Sequence, residues 1–377
     1  MNRRHWLLLI GAPVALWLTR GKFYSTPLPS RSITDFLGDQ ASANQYQRVT
    51  GARQFSFPED HAAHPDYQHE WWYFTGNLRA STGRAFGFQL TFFRFAFSPT
   101  DPTSRSAWAT RQALLGHFAL TDVENQRFHA FQRLERPVLG LAGLARRPFS
   151  IWIKNWRATL DERQDMRWTL EATQEHKTLA LQVTPTKAYV PQGANGYSVK
   201  GPEPGNASHY YSSTRMLAQG FIELDGTRFE VTGQAWLDRE WGSGALASGV
   251  IGWDWFGLQL FDGSELTLYL LRKKNGSRTP FSAGSWVSSD GSMTRLSDAD
   301  FSVQILRHWQ STQTHATYPA GWQLNIPRLK LSLEVEPLLA AQEWTQLIRY
   351  WEGNVRVKGT HAGHPIGGAG YVELTGY

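Results

Sequence analysis

Apolar and polar positions alternate every second residue through much of this chain. In RAFGFQLTFFRF (84–95), Phe86, Phe88, Leu90 and Phe92 fall on one face, the period of a strand with one side buried. MRWTLEAT (166–173), KTLALQVTP (177–185), SELTLYLLR (264–272), RLKLSLEVEP (328–337) and NVRVKG (354–359) repeat the pattern. Hairpin dipeptides stand between many of these runs: Thr82-Gly83, Asp225-Gly226, Asp262-Gly263, Asn275-Gly276 and Asp290-Gly291. Glycine there supplies the positive φ that a tight turn demands. A 3.6-residue period is confined to PLLAAQEWTQLIRYW (337–351), with SITDFLGD (32–39) as a shorter helix candidate. The pattern predicts an all-β protein with few short helices.

A weak repeat runs through the strands. WWYFTGNLRASTGRAFGFQLTFFRF (71–95) and WDWFGLQLFDGSELTLYLLR (253–272) both pass from tryptophans through a strand and a glycine turn to a second strand ending in arginine. FEVTGQAWLD (229–238) and VRVKGTHAGHPIGGAGYVEL (355–374) match as closing strands, each V-x-G followed by a small residue, an aromatic, an aliphatic and an acid. Two β-units of one ancestry explain this, against chance likeness between aromatic strands. The chain of 377 residues also exceeds a domain of about 100–200, so we divide it into a leading segment and linker (1–30) and domains over 45–243 and 244–377. Closing each sheet into a barrel would remove its edges and leave an interior; a sandwich would bury the same strands.

The N-terminus changes the picture of where the chain works. MNRRHW is a basic start, and LLLIGAPVALWL (7–18) is an apolar run of 12 residues, the length of a signal segment and short for a membrane span. Arg3-Arg4 resembles the twin-arginine export pattern. The expectation is an exported, periplasmic protein, either released or tethered by this segment as an uncleaved anchor, with an envelope protein as a further candidate partner. Net charge is +6, and Arg3, Arg4, Arg20 and Lys22 supply much of it. The densest internal basic cluster, Ala145-Arg146-Arg147, reads as a solvated face, and no run tracks phosphates as nucleic-acid binding requires. There is no cysteine, which excludes disulfides, thiolate metal sites and a thiol nucleophile. His61, His64 and His69, and His361 with His364, lack metal-ligand spacing and read as surface histidines; no metal or other cofactor is expected. Gly242-Ser243-Gly244 lacks the spacing of a nucleophile elbow, so a serine hydrolase is not expected.

Four runs place an acid against large rings: HEWWYF (69–74), AWLDREW (235–241), GWDWFG (252–257) and RYWEG (349–353). Together with GAGYVELTGY at the terminus, HEWWYFTGNL, AWLDREWGS and GWDWFGLQLFDGSELTLYLLR resemble the AttH-like family of bacterial exported proteins, related to the carotenoid 1,2-hydratases. The resemblance covers about residue 45 to the end. It implies two tandem lipocalin-like antiparallel β-barrel domains with a ligand cavity near their junction, and relatives that act on apolar alkenes. The hydratase pattern reads Asp-His-Asn-Trp where this chain has Asp238, Arg239, Glu240 and Trp241, so carotenoid hydration itself does not carry over.

A carboxyl buried against tryptophan stays protonated near neutral pH and can act as an acid. Ring faces shelter an adjacent cation by roughly 0.5–2 kcal/mol each. On that ground Asp238 and Asp254 are the preferred proton donors, with Glu70 and Glu240 next. Trp71, Trp72, Tyr73, Trp241, Trp253 and Trp255 are the expected cavity wall, and Tyr211, in the run YYSSTR, faces a ligand's polar end or pairs across a strand. The competing structural reading is an ion-pair knot in which Arg239 satisfies both Asp238 and Glu240 while Glu70 meets an arginine such as Arg94. The expected function is binding of a hydrophobic, isoprenoid- or lipid-like molecule; a hydratase or cyclase protonating such a ligand, and an envelope assembly partner with no small ligand, are the alternatives.

Overall fold

The computed structural model describes residues 43–99, 106, 109–244 and 246–377. The expected export segment and the SITDFLGD element lie outside the described residues. Strands dominate what is described, joined to three single-turn 3-10 segments, Glu59–His61, Asp298–Asp300 and Pro327–Leu329.

Two antiparallel sheets carry the chain, one curled into a lipocalin-like barrel and the other into a half-barrel. The main path of the first runs, in spatial order, through Arg127–Glu135, Gln112–Asp122, Ala85–Ala96, His69–Ala80, Thr227–Gly242, Ala207–Leu224, Lys177–Pro185, Arg167–Gln174, Trp156–Asp161, Phe149–Ile153 and Ala142–Arg146. The main path of the second runs through Met293–Ser297, Ala283–Val287, Glu265–Lys273, Val250–Leu260, His364–Thr375, Arg349–His361, Leu331–Pro337, Trp322–Ile326 and Ser302–Ile305. The predicted strands are found within a few residues of their expected bounds.

The repeated sequences occupy equivalent places. His69–Ala80 and Ala85–Ala96 form a hairpin beside Thr227–Gly242, as Val250–Leu260 and Glu265–Lys273 do beside His364–Thr375. Tyr73 lies opposite Asp238, and Trp255 opposite Glu373. One strand further, Tyr210 lies opposite Glu240 and Tyr350 opposite Thr375. Matching Tyr73 to Trp255 therefore matches Asp238 to Glu373 and Tyr210 to Tyr350.

Because side chains alternate across a strand, each hairpin has two apolar faces. Trp72, Phe74, Phe86 and Phe88 fill the first barrel's interior, and Phe256, Leu258, Leu266 and Leu268 that of the second. The odd-numbered neighbours Trp71, Tyr73, Trp253 and Trp255 face outward and meet one another. The two sheets are thus joined through aromatic outer faces, to which Trp71, Trp236, Trp253, Trp255 and Trp344 contribute.

The helix expected over 337–351 does not form. Leu331–Pro337 continues as strand, and Glu343–Thr345 folds back on Arg349–Trp351 as a tight hairpin. Trp344 and Ile348, whose i, i+4 spacing mimics a helical face, are instead buried with Tyr350 against Phe93 and Leu115 of the first sheet. Tertiary burial of three large side chains overrides the local period.

Candidate functional site

A narrow cavity of about 90 Å³ lies between the two outer faces, lined by Trp71, Tyr73, Phe93, Tyr210, Asp238 and Glu240 from the first sheet and Trp253, Trp255, Tyr269, Tyr350 and Glu373 from the second. The walls are mostly rings, and three carboxyls face them beside the polar groups of His69, Gln89, Lys200, Asn206 and Ser208.

Asp238 sits where outward-facing Trp236, Asp238 and Glu240 alternate along Thr227–Gly242. Its oxygens accept from the hydroxyls of Ser212 (2.5 Å) and Tyr210 (2.7 Å) and the indole N–H of Trp236 (2.8 Å). No cation pairs with it among the described residues. Burial pushes its pKa up to about 7 against the pull of those three donors, with nearby Glu240 adding to the rise. Glu373 accepts one bond, from the Trp253 indole at 3.3 Å, and likewise has no cation partner among the described residues. Burial, with the carboxyls of Asp238 and Glu240 nearby, pushes it up to about 8. At neutral pH Asp238 is therefore about half protonated and Glu373 mostly so. Glu240 is different: Lys200 stands 2.7 Å away, and Ser208 donates to the same oxygen. Lys200 also lies over the rings of Tyr269 and Tyr210, at 5.0 and 5.5 Å.

Behind the wall, the Tyr350 hydroxyl lies 2.7 Å from Nδ1 of His117, whose Nε2 meets the Gln132 carbonyl oxygen at 3.1 Å. Gln132 can only accept at that oxygen, so Nε2 carries the proton and Nδ1 accepts from Tyr350. Burial holds the His117 pKa down to about 3, keeping it a neutral acceptor.

Several expected site residues lie elsewhere. Trp72 is inside the first barrel, the opposite face from Trp71. Trp241 and Tyr211 belong to a separate cluster with Val49 and Tyr67, which plugs the barrel's end. Tyr211 bonds His61 Nδ1 at 2.6 Å and does not line the junction cavity. Asp254 also faces inward, held by Arg272 at 2.7 Å and by the Tyr377 hydroxyl. Glu70 is fully buried and ion-paired to both Arg94 and Arg239, and it accepts from the backbone N–H of His64. The expected meeting of Glu70 with Arg94 is found. The expected bridge from Arg239 to Asp238 and Glu240 is not, because Arg239 points to the opposite face from its acidic neighbours. His61 and His69 are buried rather than surface histidines; His64 stacks on Trp241 at 3.8 Å, and His69 on Trp71 at 6.0 Å.

Glu373, Tyr350, Lys200 and Phe93 were not anticipated from the sequence. The repeat held the signal for Glu373, since it aligns the acid of GQAWLD with the acid of GAGYVE; Lys200 and Phe93 carry no motif.

Gly257 gives Trp255 its position, for a Cβ at 257 would overlap the indole. Gly257→Ala should therefore push the ring into the cavity. The expected outcome is a stability loss of about 1–3 kcal/mol with weaker uptake of an apolar fluorescent probe, read by thermal melting and probe titration.

The kievitone hydratase of Fusarium solani subsp. phaseoli is 27% identical over 143 residues, 37% of this chain and 39% of that protein's length. The chain thus aligns with well under half of that curated relative. A solved structure assigned as AttH, from Nitrosomonas europaea, is 33% identical with a TM-score of 0.77, covering 88% of this chain and 99% of the other. Kievitone hydratase from Nectria haematococca shares the fold at 13% identity and a TM-score of 0.66, over 88% of this chain and 96% of its own. CghA with Sch210972 does so at 13% identity and a TM-score of 0.54, over 91% and 97%. The AttH-like family model matches residues 48–377, and the chain belongs to that family.

Proposed function

We propose that the junction cavity takes up an apolar alkene-bearing molecule and protonates it, with Glu373 and Asp238 as the acid pair. The observation that carries this reading is the presence of two cavity-facing carboxyls, both without a cation partner among the described residues and both with pKa values raised into the neutral range by burial between indole and phenol rings. A carrier needs the walls but has no use for uncompensated acids.

Glu373, with a single long hydrogen bond, is the freer donor. Its O–H proton goes to the less substituted alkene carbon, the π pair forms the new C–H bond, and positive charge develops on the other carbon. Trp253, Trp255 and Tyr73 present faces to that charge. Water then adds to the cation, and its proton returns to the carboxylate, so the sum is addition of H₂O; capture by a second alkene in the same molecule closes a ring and moves the charge to that alkene's other carbon, which loses a proton to the carboxylate, so the sum is an isomerising cyclisation. Asp238, fixed by three donors, is the second acid and faces the same cavity from the first sheet. The hydratase names of the relatives agree with this class of reaction.

A carrier without chemistry is the second reading, favoured by the saturation of Asp238 with donors and by the narrowness of the void. The two separate in D₂O. Incubating the protein with prenylated phenols or isoprenols should place deuterium on carbon, seen by mass spectrometry. Glu373→Gln should abolish the label while leaving probe binding intact. Unlabelled ligand that nonetheless co-purifies would support the carrier. From the basic start and apolar run we further propose action outside the cytoplasm, tested by cell fractionation.

A further inference from the structure

Of the eight large apolar side chains exposed among the described residues, four belong to one place: Phe97, Leu134, Leu139 and Leu141. Phe97, Leu134 and Leu141 border a surface depression of about 480 Å³ together with Ala113, Val138 and Arg136. Register explains the continuity. Phe93 lies opposite Leu115, Leu115 opposite Leu134, and Phe95 opposite Ala113, and directly opposed residues share a face. Phe97 follows Phe95 by two. The outer face that walls the cavity through Phe93 and Phe95 thus continues to this patch.

Leu139 sits in the loop joining Arg127–Glu135 to Ala142–Arg146, the two end strands of the first sheet's path. It is 61% exposed, with φ of +52°. A branched side chain in the left-handed region is uncommon, and exposing it gains nothing in the isolated chain. The rim is basic. Arg136 and Arg146 are exposed and make no ion pair among the described residues, while the nearest acid, Glu135, is held by Lys154 at 2.6 Å. Arg147 makes only a solvent-exposed pair with Glu59. The arginine cluster that reads as a solvated face in the sequence therefore closes the edge strand that begins beside the leucine tip.

We propose that this face docks on an anionic lipid surface, with Leu139 and Leu141 entering the acyl boundary and Arg136 and Arg146 meeting lipid phosphates. Apolar tips with a basic surround are what interfacial binding uses. A second copy meeting the patch face to face would set arginine rim against arginine rim, which like charges disfavour. The proposal stands apart from the acid chemistry, although it would place the Phe97–Phe95–Phe93 stripe between a lipid reservoir and the cavity.

The chain has no cysteine, so Leu139→Cys and Lys274→Cys in the full chain each accept one polarity-sensitive dye; Lys274 is exposed in the other domain. The probe is phosphatidylcholine vesicles containing phosphatidylglycerol, with and without brominated acyl chains. Dye at 139 should brighten several-fold and be quenched by bromine, dye at 274 should do neither, and Arg136→Glu with Arg146→Glu should abolish the response. If the chain sediments with vesicles while dye at 139 stays silent, attachment is through another segment and the proposal fails. It fails equally if the 139 signal rises with protein concentration in the absence of lipid, which would mean self-association.

Discussion

Glu70→Gln is expected to destabilise the first barrel by about 3–5 kcal/mol, because it leaves two buried guanidinium groups facing a neutral amide. Arg94 and Arg239 are fully buried and each pairs with one oxygen of Glu70. They also donate to the backbone carbonyls of Tyr67 (2.6 Å) and Ala62 (2.7 Å), so the network ties residues 62–67 across the barrel's end. Arg239 lies over Trp72 at 3.8 Å as well. Chemical denaturation followed by tryptophan fluorescence would measure the loss. A cost under 1 kcal/mol would mean that the arginines find other partners. Burial raises the Glu70 pKa, but the two guanidinium groups and His64 outweigh it and hold the carboxyl well below its usual range. The folded pKa is thus lower than the unfolded one, so this stabilisation is present above about pH 4.3 and lost as pH falls through the folded value.

The second large effect runs in the opposite direction with pH. Asp238 and Glu373 have folded pKa values raised to about 7 and about 8. An acid role needs the protonated forms, so turnover should be full below these values and fall as pH rises through them. Glu373→Gln should cost about 10²–10⁴-fold in rate, and Asp238→Asn should remove the lower limb of the alkaline decline. Stability has the same sign. A carboxyl whose folded pKa exceeds its unfolded value favours folding less and less from about pH 4 upward, until the folded pKa is passed. Both variants escape that decline. At pH 5 they should melt close to the wild type; at pH 9 they should melt higher, by roughly 5 °C. Lower melting at every pH, with unchanged turnover, would show that these side chains serve packing alone.

The rank of the candidates rearranged for a simple reason. Three of the four acids chosen from the sequence, Glu70, Glu240 and Asp254, adjoin a tryptophan, but adjacency along a strand places neighbours on opposite faces. Asp238 and Glu240 share the outer face with Trp236, whereas Trp241 and Arg239 point inward. Trp71 and Trp72 divide in the same way, as do Trp253 and Asp254. Choosing the parity required knowing which face each sheet buries against its own core, and both faces of these hairpins are apolar enough to be buried.

Strand positions, turns, the all-β class and the internal duplication were set by alternation, glycine placement and repeated aromatic runs, all local properties that survive in a one-dimensional reading. The duplication even paired Asp238 with Glu373. What only the folded molecule decided was the meeting of distant segments: it made a cavity between the two sheets, gave Glu70 its second arginine, Arg239, left Asp238 and Glu373 uncompensated, and turned the 337–351 segment into a hairpin. Those outcomes depend on contacts between residues more than a hundred positions apart, such as Tyr73 with Trp255, for which no local pattern exists.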